Sequence, residues 1–180
     1  MLNKEMQYKS ATPMKPNSIT NVWFKKKIRM QLQLNWIFKK FDELTAAELY
    51  SIMQLRNEVF VVEQNCVYQD ADDKDQKSFH LCGWDGNKLV AYTRIIPQGI
   101  SYIQASIGRV VTSPAYRKTG AGRQLMKESI SFCFSEFNCT KIKIGAQVYL
   151  TGFYQSLGFI PCSGQYFEDG IPHIEMILHK

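Results

Sequence analysis

The clearest chemical pattern in the chain is a basic loop with two glycines, placed between a predicted strand and a predicted helix. The β-branched residues of 107–111 indicate a strand, and Ser113-Pro114 ends it. The loop that follows covers 117–122. Gly120 and Gly122 have no side chain, so a ligand can approach the backbone there. An apolar stripe at helical spacing comes next, made of Met126, Ile130, Cys133, Phe134 and Phe137. The loop is therefore expected at a helix N-terminus, where free N–H groups favour an anion such as phosphate.

Hydrophobic periodicity predicts the elements that hold this loop in place. Thr45 and Glu48 have capping-box spacing, so a helix is expected to begin there, and Gly158 is typical of the end of a helix over 150–157. The predicted strands cover residues 32–39, 79–84, 88–96, 102–111, 141–146, 159–166 and 173–178. Strand–helix–strand order predicts that residues 107–111 and 142–146 lie parallel, with a right-handed crossover. The expected fold class is α/β, a mixed sheet with helices on its faces.

The net positive charge of the chain comes from its N-terminal segment. The 180 residues carry a formal charge of +6, and residues 1–29, with seven Lys or Arg and one Glu, account for all of it. We expect residues 1–29 to be a basic, disordered extension and residues 30–180 to be one neutral domain. Because Met30 is followed at once by a predicted strand, an upstream extension from a misassigned start codon is favoured over a targeting segment. Nucleic acid is therefore not an expected partner.

Cysteine usage and hydropathy suggest the compartment. The five cysteines are scattered and form no Cys-x-x-Cys pair, so neither a disulfide framework nor a zinc site is expected. No apolar run approaches the ~20 residues that span a bilayer, and the N-terminus lacks the apolar core of a secretory signal. We therefore expect a cytoplasmic protein with no metal ion and no membrane partner.

A polar, acidic segment, residues 66–78, is predicted to be a loop. Asp70, Asp72 and Asp73 have some likeness to a calcium-binding loop, but Lys74 occupies the third ligand position and the glycine of such loops is missing. The favoured interpretation is a solvated acidic loop.

Two signatures together resemble the GCN5-related N-acetyltransferase (GNAT) superfamily. The loop is neither a Walker A loop nor a dinucleotide fingerprint, but Arg117-x-x-Gly120-x-Gly122 matches the superfamily's acyl-CoA signature, Gln/Arg-x-x-Gly-x-Gly/Ala. Phe153-Tyr154 with Gly158-Phe159 matches the second signature. A closer resemblance, to the ElaA-type branch, covers nearly all of residues 30–180. Its segments are FVVEQNCVYQDADD (60–73), GRVVTS (108–113), GAQVYL (145–150), FYQSLGF (153–159) and EDGIPH (168–173).

The resemblance implies a fold, a reaction and a co-substrate. The fold would be a GNAT-type, mostly antiparallel twisted sheet with a central parallel strand pair and helices on both faces. The reaction would be direct transfer of an acetyl group from acetyl-CoA to a primary amine of a small molecule or peptide. A homodimer is a further expectation, since dimers are common in the superfamily. The alternative function is a non-catalytic acyl-CoA-binding sensor or scaffold, although such a protein has no need of the acid described below.

The resemblance also assigns residues to the co-substrate. The backbone of Val110, Val111 and Thr112 would pair with the pantetheine arm like an added strand. The pyrophosphate would be held by the loop residues Arg117, Lys118, Thr119, Gly120, Ala121 and Gly122. Many members have glycine where this chain has Lys118, but a backbone N–H remains there.

Acetyl transfer needs a neutral amine, a donor for the developing oxyanion and a proton for the departing thiolate. A lysine-like amine has a pKa of about 10.4, so a base or a water relay must remove a proton. A strand N–H of Val110 or Val111 could serve the oxyanion. Tyr154 is predicted to contact the co-substrate and to protonate the thiolate; the other interpretation is a core aromatic residue.

The identity of the base is left open. Candidates for the base or for acceptor contacts are Glu63, His80, Glu168 and His173, because each lies in a polar stretch that could face a cleft. For His80, a buried histidine with satisfied hydrogen bonds is at least as good an interpretation. Arg109 and Gln147 are predicted either to bind an acidic group on the acceptor or to brace the core.

Overall fold

The computed structural model describes residues 33–180, and the predicted extension over residues 1–29 lies outside them. The described strands are β1 Asn35–Lys40, β2 Phe79–Asp85, β3 Lys88–Ile96, β4 Ala105–Thr112, β5 Lys141–Gln147, β6 Ile160–Glu168 and β7 Ile171–His179. The α-helices are α1 Ala46–Arg56, α2 Ala121–Glu136 and α3 Thr151–Gln155. A π-helical segment, Asn57–Glu63, continues α1 and was not predicted. No helix in residues 33–180 is long and apolar enough to cross a membrane.

The strands form one sheet in the order β1-β2-β3-β4-β5-β7-β6. Only β4 and β5 pair in parallel among the described strands. Neighbouring residues of a strand point to opposite faces: Val111 packs with Ile52 and Leu55 of α1, whereas Val110 packs with the cluster that contains Leu125 of α2. The predicted α/β fold with helices on both faces is therefore confirmed.

Local signals place the ends of two helices as predicted. The Thr45 Oγ1 accepts a hydrogen bond from the Glu48 N–H at 3.2 Å, and the Glu48 carboxylate accepts one from the Thr45 N–H at 2.9 Å. This reciprocal capping box satisfies donors that a helix N-terminus leaves free. Gly158 follows α3 with a φ of +95°, a left-handed conformation that ends a helix.

The parallel pairing of β4 and β5 is shorter than predicted. Ala105 pairs with Ile142 and Ser106 with Lys143, and no further residues of the two strands are paired. The predicted parallel arrangement of these two strands is therefore confirmed, but the paired residues are 105–106 and 142–143. A gap opens between the two halves of the sheet where the pairing stops.

A β-bulge in β4 accounts for this divergence. Tyr92 pairs with Val111 and Arg94 with Gly108, so β4 has one residue more than β3 between these pairs. An extra residue bends the strand that carries it and increases its local twist. The bulge begins at Arg109, three residues beyond Ser106, the last residue of β4 that is paired with β5.

The acidic loop 66–78 is not solvated as predicted but tied into the core by arginines. Asp70 and Asp75 are buried. Arg56 is fully buried and donates from Nε to Asp70 at 2.7 Å and from Nη1 to Asp75 at 2.8 Å. Arg94 pairs with Asp72 and Asp75, and Arg109 with Asp70. Buried carboxylates require such cations, and these come from α1, β3 and β4, which lie far away in sequence.

Candidate active site

A cleft of about 1030 Å³ opens where β4 and β5 separate. The predicted site residues that line it are Glu63, Arg109, Val110, Val111, Thr112, Arg117, Lys118, Gly120, Gly122, Gln147, Tyr154, Glu168 and His173. Thr119, Ala121 and His80 are not among its lining residues. Thr119 and Ala121 still belong to the basic loop beside the cleft, whereas His80 lies in the core.

The basic loop carries unpaired backbone N–H groups at the N-terminus of α2. Five of these N–H groups make no hydrogen bond within residues 33–180: those of Lys118, Thr119, Gly120, Gly122 and Arg123. Lys118 and Gly120 have left-handed φ values of +62° and +100°, which a residue with a Cβ adopts only at a cost. Free N–H groups at the positive end of a helix dipole fit a pyrophosphate.

The direction of the β4 backbone determines which N–H groups face the gap. The Ser113 N–H donates to the Val90 carbonyl in β3 at 2.8 Å. Because successive N–H groups of a strand point to opposite edges, the Val111 N–H also points to β3. Those of Val110 and Thr112 then point to the edge where β5 is missing. Of the two predicted oxyanion donors, the backbone geometry favours Val110.

Tyr154 lies on α3, with its ring centroid 5.1 Å from that of Phe153 and 6.0 Å from that of Phe159. It is only 6 % exposed, yet it lines the cleft. Its hydroxyl makes no hydrogen bond within residues 33–180, and because the side chain lines the cleft, the hydroxyl is available to a ligand. Burial raises the pKa of Tyr154, so the hydroxyl keeps its proton at neutral pH.

Glu63 forms a two-pronged ion pair with Arg117 at the end of the cleft that carries the basic loop. The two N–O distances are both 2.6 Å. The hydrogen bonds from Arg117 lower the pKa of Glu63, and a carboxylate with a lowered pKa is a weaker base. Glu63 therefore neutralises a cation of the anion-binding loop, in a position different from the one expected of a base at the acceptor.

Replacing Glu63 by glutamine is expected to tighten acetyl-CoA binding about two- to fivefold and to leave kcat unchanged. The reason is that breaking an exposed ion pair costs at most ~1 kcal/mol and frees Arg117 for a phosphate. Titration calorimetry and steady-state kinetics measure both quantities. Glu136→Gln, an exposed carboxylate near the end of α2, is the control. A large loss of kcat with an altered pH profile would identify Glu63 as the base instead.

His173, Glu168 and Gln147 also line the cleft. The side-chain amides of Gln147 and Gln64 pair reciprocally at 3.2 and 3.4 Å, which links β5 to the end of the π-helical segment. The His173 Nδ1 lies 2.9 Å from the Ile171 carbonyl oxygen. Because a carbonyl only accepts, Nδ1 carries the hydrogen, and Nε2 of the neutral ring is an acceptor. Glu168 forms no ion pair within the described residues.

Two other predicted residues are already engaged with the protein. His80 is fully buried, with Nδ1 2.9 Å from the Tyr92 hydroxyl and Nε2 3.1 Å from the Asp75 carbonyl oxygen. Burial lowers the pKa of His80 and favours the neutral ring. Arg109 lines the cleft, but its guanidinium donates to Asp70. The structure brings Arg109, but not His80, together with the other candidates.

Two tyrosines close to Gly145, of which Tyr102 lines the cleft, were not singled out from the sequence. A Cβ on Gly145 of β5 would lie 2.9 Å from the Tyr166 hydroxyl and 3.4 Å from that of Tyr102. Burial, with smaller effects from Tyr166 and nearby carboxylates, raises the pKa of Tyr102 to about 12. The only sequence signal for this cluster is a glycine inside a strand pattern, which often marks a close approach.

Comparison with known proteins identifies the family. Residues 43–180 match the family model described as an acetyltransferase (GNAT) domain. The chain belongs to the GNAT family. Protein ElaA of Escherichia coli K12 is 43% identical over 145 residues, which cover 79% of this GNAT chain and 95% of ElaA. A UPF0039 protein of Schizosaccharomyces pombe is 45% identical over 147 residues, which cover 81% of this chain and 97% of its own.

Solved structures agree with this assignment. The crystal structure of E. coli ElaA has a TM-score of 0.77 and 42% identity, covering 82% of this chain and 100% of its own. An acyl-CoA N-acyltransferase from Pseudomonas aeruginosa has a TM-score of 0.78 and 40% identity, covering 81% and 99%. The resemblance to the ElaA-type branch of the GNAT superfamily is therefore confirmed, and acyl-CoA-dependent acyl transfer is the reaction class.

Proposed function

We propose that the protein moves the acetyl group of acetyl-CoA directly to a primary amine. One observation carries the proposal: free N–H groups at a helix N-terminus, a strand edge without a partner and the tyrosine hydroxyl of Tyr154, which is unpaired within residues 33–180, all border one cleft. The first fits a pyrophosphate, the second a pantetheine arm and the third a leaving thiolate.

Each protein group has one task in the transfer. The loop 117–122 binds the pyrophosphate, and the free edge of β4 at Val110 and Thr112 pairs with the pantetheine amides. The ammonium form of the acceptor first gives one proton to a base, and the nitrogen attacks as the neutral amine. When the amine nitrogen attacks the thioester carbonyl, the Val110 N–H donates to the developing oxyanion. As the carbon–sulfur bond breaks, the Tyr154 hydroxyl gives its proton to the thiolate, and the second proton lost by the nitrogen returns to the Tyr154 oxygen.

His173 is the base that we favour. Its Nδ1 is occupied by the Ile171 carbonyl, so Nε2 is free to accept a proton directly or through water. The nearby carboxylates of Glu168 and Asp169 form no ion pair within residues 33–180 and line the same cleft. They attract an acceptor that arrives as an ammonium ion, which suits this part of the cleft to amines.

Free-thiol release from acetyl-CoA, measured over a panel of primary amines, tests the proposal. The wild-type protein is expected to release thiol only when an amine is present, and His173→Ala to lose about 10²-fold or more in kcat, with partial rescue by added imidazole. Lys88→Ala, on the exposed end of β3, is the control. Tight acetyl-CoA binding without amine-dependent thiol release would favour the non-catalytic sensor instead.

A further inference from the structure

Arg109 has an unusual backbone conformation beside the cleft. It belongs to the bulge of β4 and has a φ of +51°. For a residue with a Cβ, this left-handed conformation costs about 1–2 kcal/mol, so it persists only where the surroundings hold it. Val110, the next residue, carries the N–H that points to the edge without a partner. The contacts that fix the backbone conformation of Arg109 therefore also fix the direction of the Val110 N–H.

The Arg109 side chain is held by Asp70. Its Nε donates to the Asp70 carboxylate at 2.7 Å, and its Nη2 donates to the Asp70 carbonyl oxygen at 3.0 Å. The guanidinium also lies 5.7 Å from the ring centroid of Tyr68. The Asp70 side chain is 3 % exposed and accepts a further bond from Arg56 on α1 at 2.7 Å. A continuous set of contacts thus joins a core helix to the bulge.

Thr93 on β3 holds the bulge from the opposite side. Its hydroxyl donates to the Gly108 carbonyl oxygen at 3.0 Å, and Thr93 itself is fully buried. A bulge displaces backbone groups from the regular ladder, and a buried carbonyl without a partner is costly. The bulge is therefore supported by a hydroxyl on one side and by an ion pair on the other.

We propose that Arg109 is a positioning residue, clamped by Asp70 so that the Val110 N–H points into the cleft. Its Nε and Nη2 are already engaged by Asp70, and Nη2 also lies 3.5 Å from Asp72, so this edge of the guanidinium is not free for an acidic group of the acceptor. The inference rests on the proposed function, in which this N–H stabilises the oxyanion. A tilt of that N–H weakens transition-state stabilisation without altering the pyrophosphate loop, which belongs to a different element.

The pair Arg109→Ala and Arg109→Gly tests the clamp. Both remove it, but only glycine adopts the left-handed conformation without strain. We expect kcat to fall about tenfold in Arg109→Ala and less in Arg109→Gly, with the acetyl-CoA Kd within about twofold of the wild-type value. Both variants leave Asp70 paired with Arg56, so no buried carboxylate loses its last cation. Lys141→Ala, an exposed residue at the start of β5, is the control.

Two kinetic outcomes overturn the proposal. Unchanged kcat with a lowered Tm in both variants would make the clamp purely structural, and a higher KM for the amine at unchanged kcat would make Arg109 a substrate contact.

The Val110 amide resonance in the unliganded protein is a readout independent of turnover. It is expected to shift in Arg109→Ala and to return towards its wild-type position in Arg109→Gly; no shift in either overturns the inference. Absence of any wild-type transfer would refute only the proposed function, because the resonance still reports on the bulge.

Discussion

Tyr154→Phe is expected to lower kcat about 10²-fold or more, the usual contribution of a general acid, while acetyl-CoA binds as before. The hydroxyl has no partner within residues 33–180, so its removal costs no protein hydrogen bond and the aromatic packing with Phe153 and Phe159 remains. Stopped-flow thiol release gives kcat, and calorimetry gives the Kd.

The pH dependence makes this prediction sharper. Because burial raises the pKa of Tyr154, the acid stays protonated through the neutral range, and the loss in Tyr154→Phe should be equal from about pH 6 to pH 9. Tyr50→Phe, at an exposed position on α1, is the matched control and should be indistinguishable from the wild type. If the two phenylalanine variants have the same kcat, Tyr154 is a core aromatic residue and not the acid.

Arg56→Met is expected to lower the free energy of unfolding by about 3 kcal/mol or more, the usual effect of removing one partner of a buried ion pair. Methionine fills a similar volume but leaves Asp70, Asp72 and Asp75 with one cation fewer in the buried network. Urea denaturation measures the change. Lys39→Met removes the cation of the more exposed pair with Glu48 and should cost about 0–1 kcal/mol. Equal losses in the two variants would mean that burial does not strengthen the Arg56 pairs.

Acid should weaken the same network. Burial raises the pKa of Asp75, but Arg56 and Arg94 outweigh it, so the net pKa lies below the ordinary value of 3.8. A carboxylate with a depressed folded-state pKa stabilises the protein fully above the unfolded value and loses that effect as the pH falls through the folded value. The advantage of the wild type over Arg56→Met should therefore persist at neutral pH and shrink below about pH 4.

Sequence reasoning succeeded where the signal is local. The basic loop, the capping box at Thr45 and the helix end at Gly158 each depend on a few consecutive residues, since backbone conformation there is set by neighbours in the chain. Tyr154 was found in the same way, from its spacing to Gly158. The basic loop and Tyr154 both border the cleft.

The features that were missed depend on contacts between distant segments. A bulge adds one residue to a strand. The hydrophobic periodicity around Gly108 and Arg109 did not indicate that a bulge would occur there. The acidic loop looked solvated because its three arginine partners come from other elements. The pairing of Glu63 with Arg117 joins residues far apart in the chain, so a side chain considered as a base is engaged with a cation of the basic loop.

Only two residue pairs join β4 to β5, so this junction connects the two halves of the sheet weakly. Every other neighbouring strand pair is held by a longer ladder. This junction must also close a chain segment that contains the basic loop and all of α2, which adds loop-closure entropy to a small number of hydrogen bonds. It is the weakest strand pairing of the sheet, and it ends at the cleft. Widening the cleft therefore strains fewer backbone hydrogen bonds than separating any other two strands.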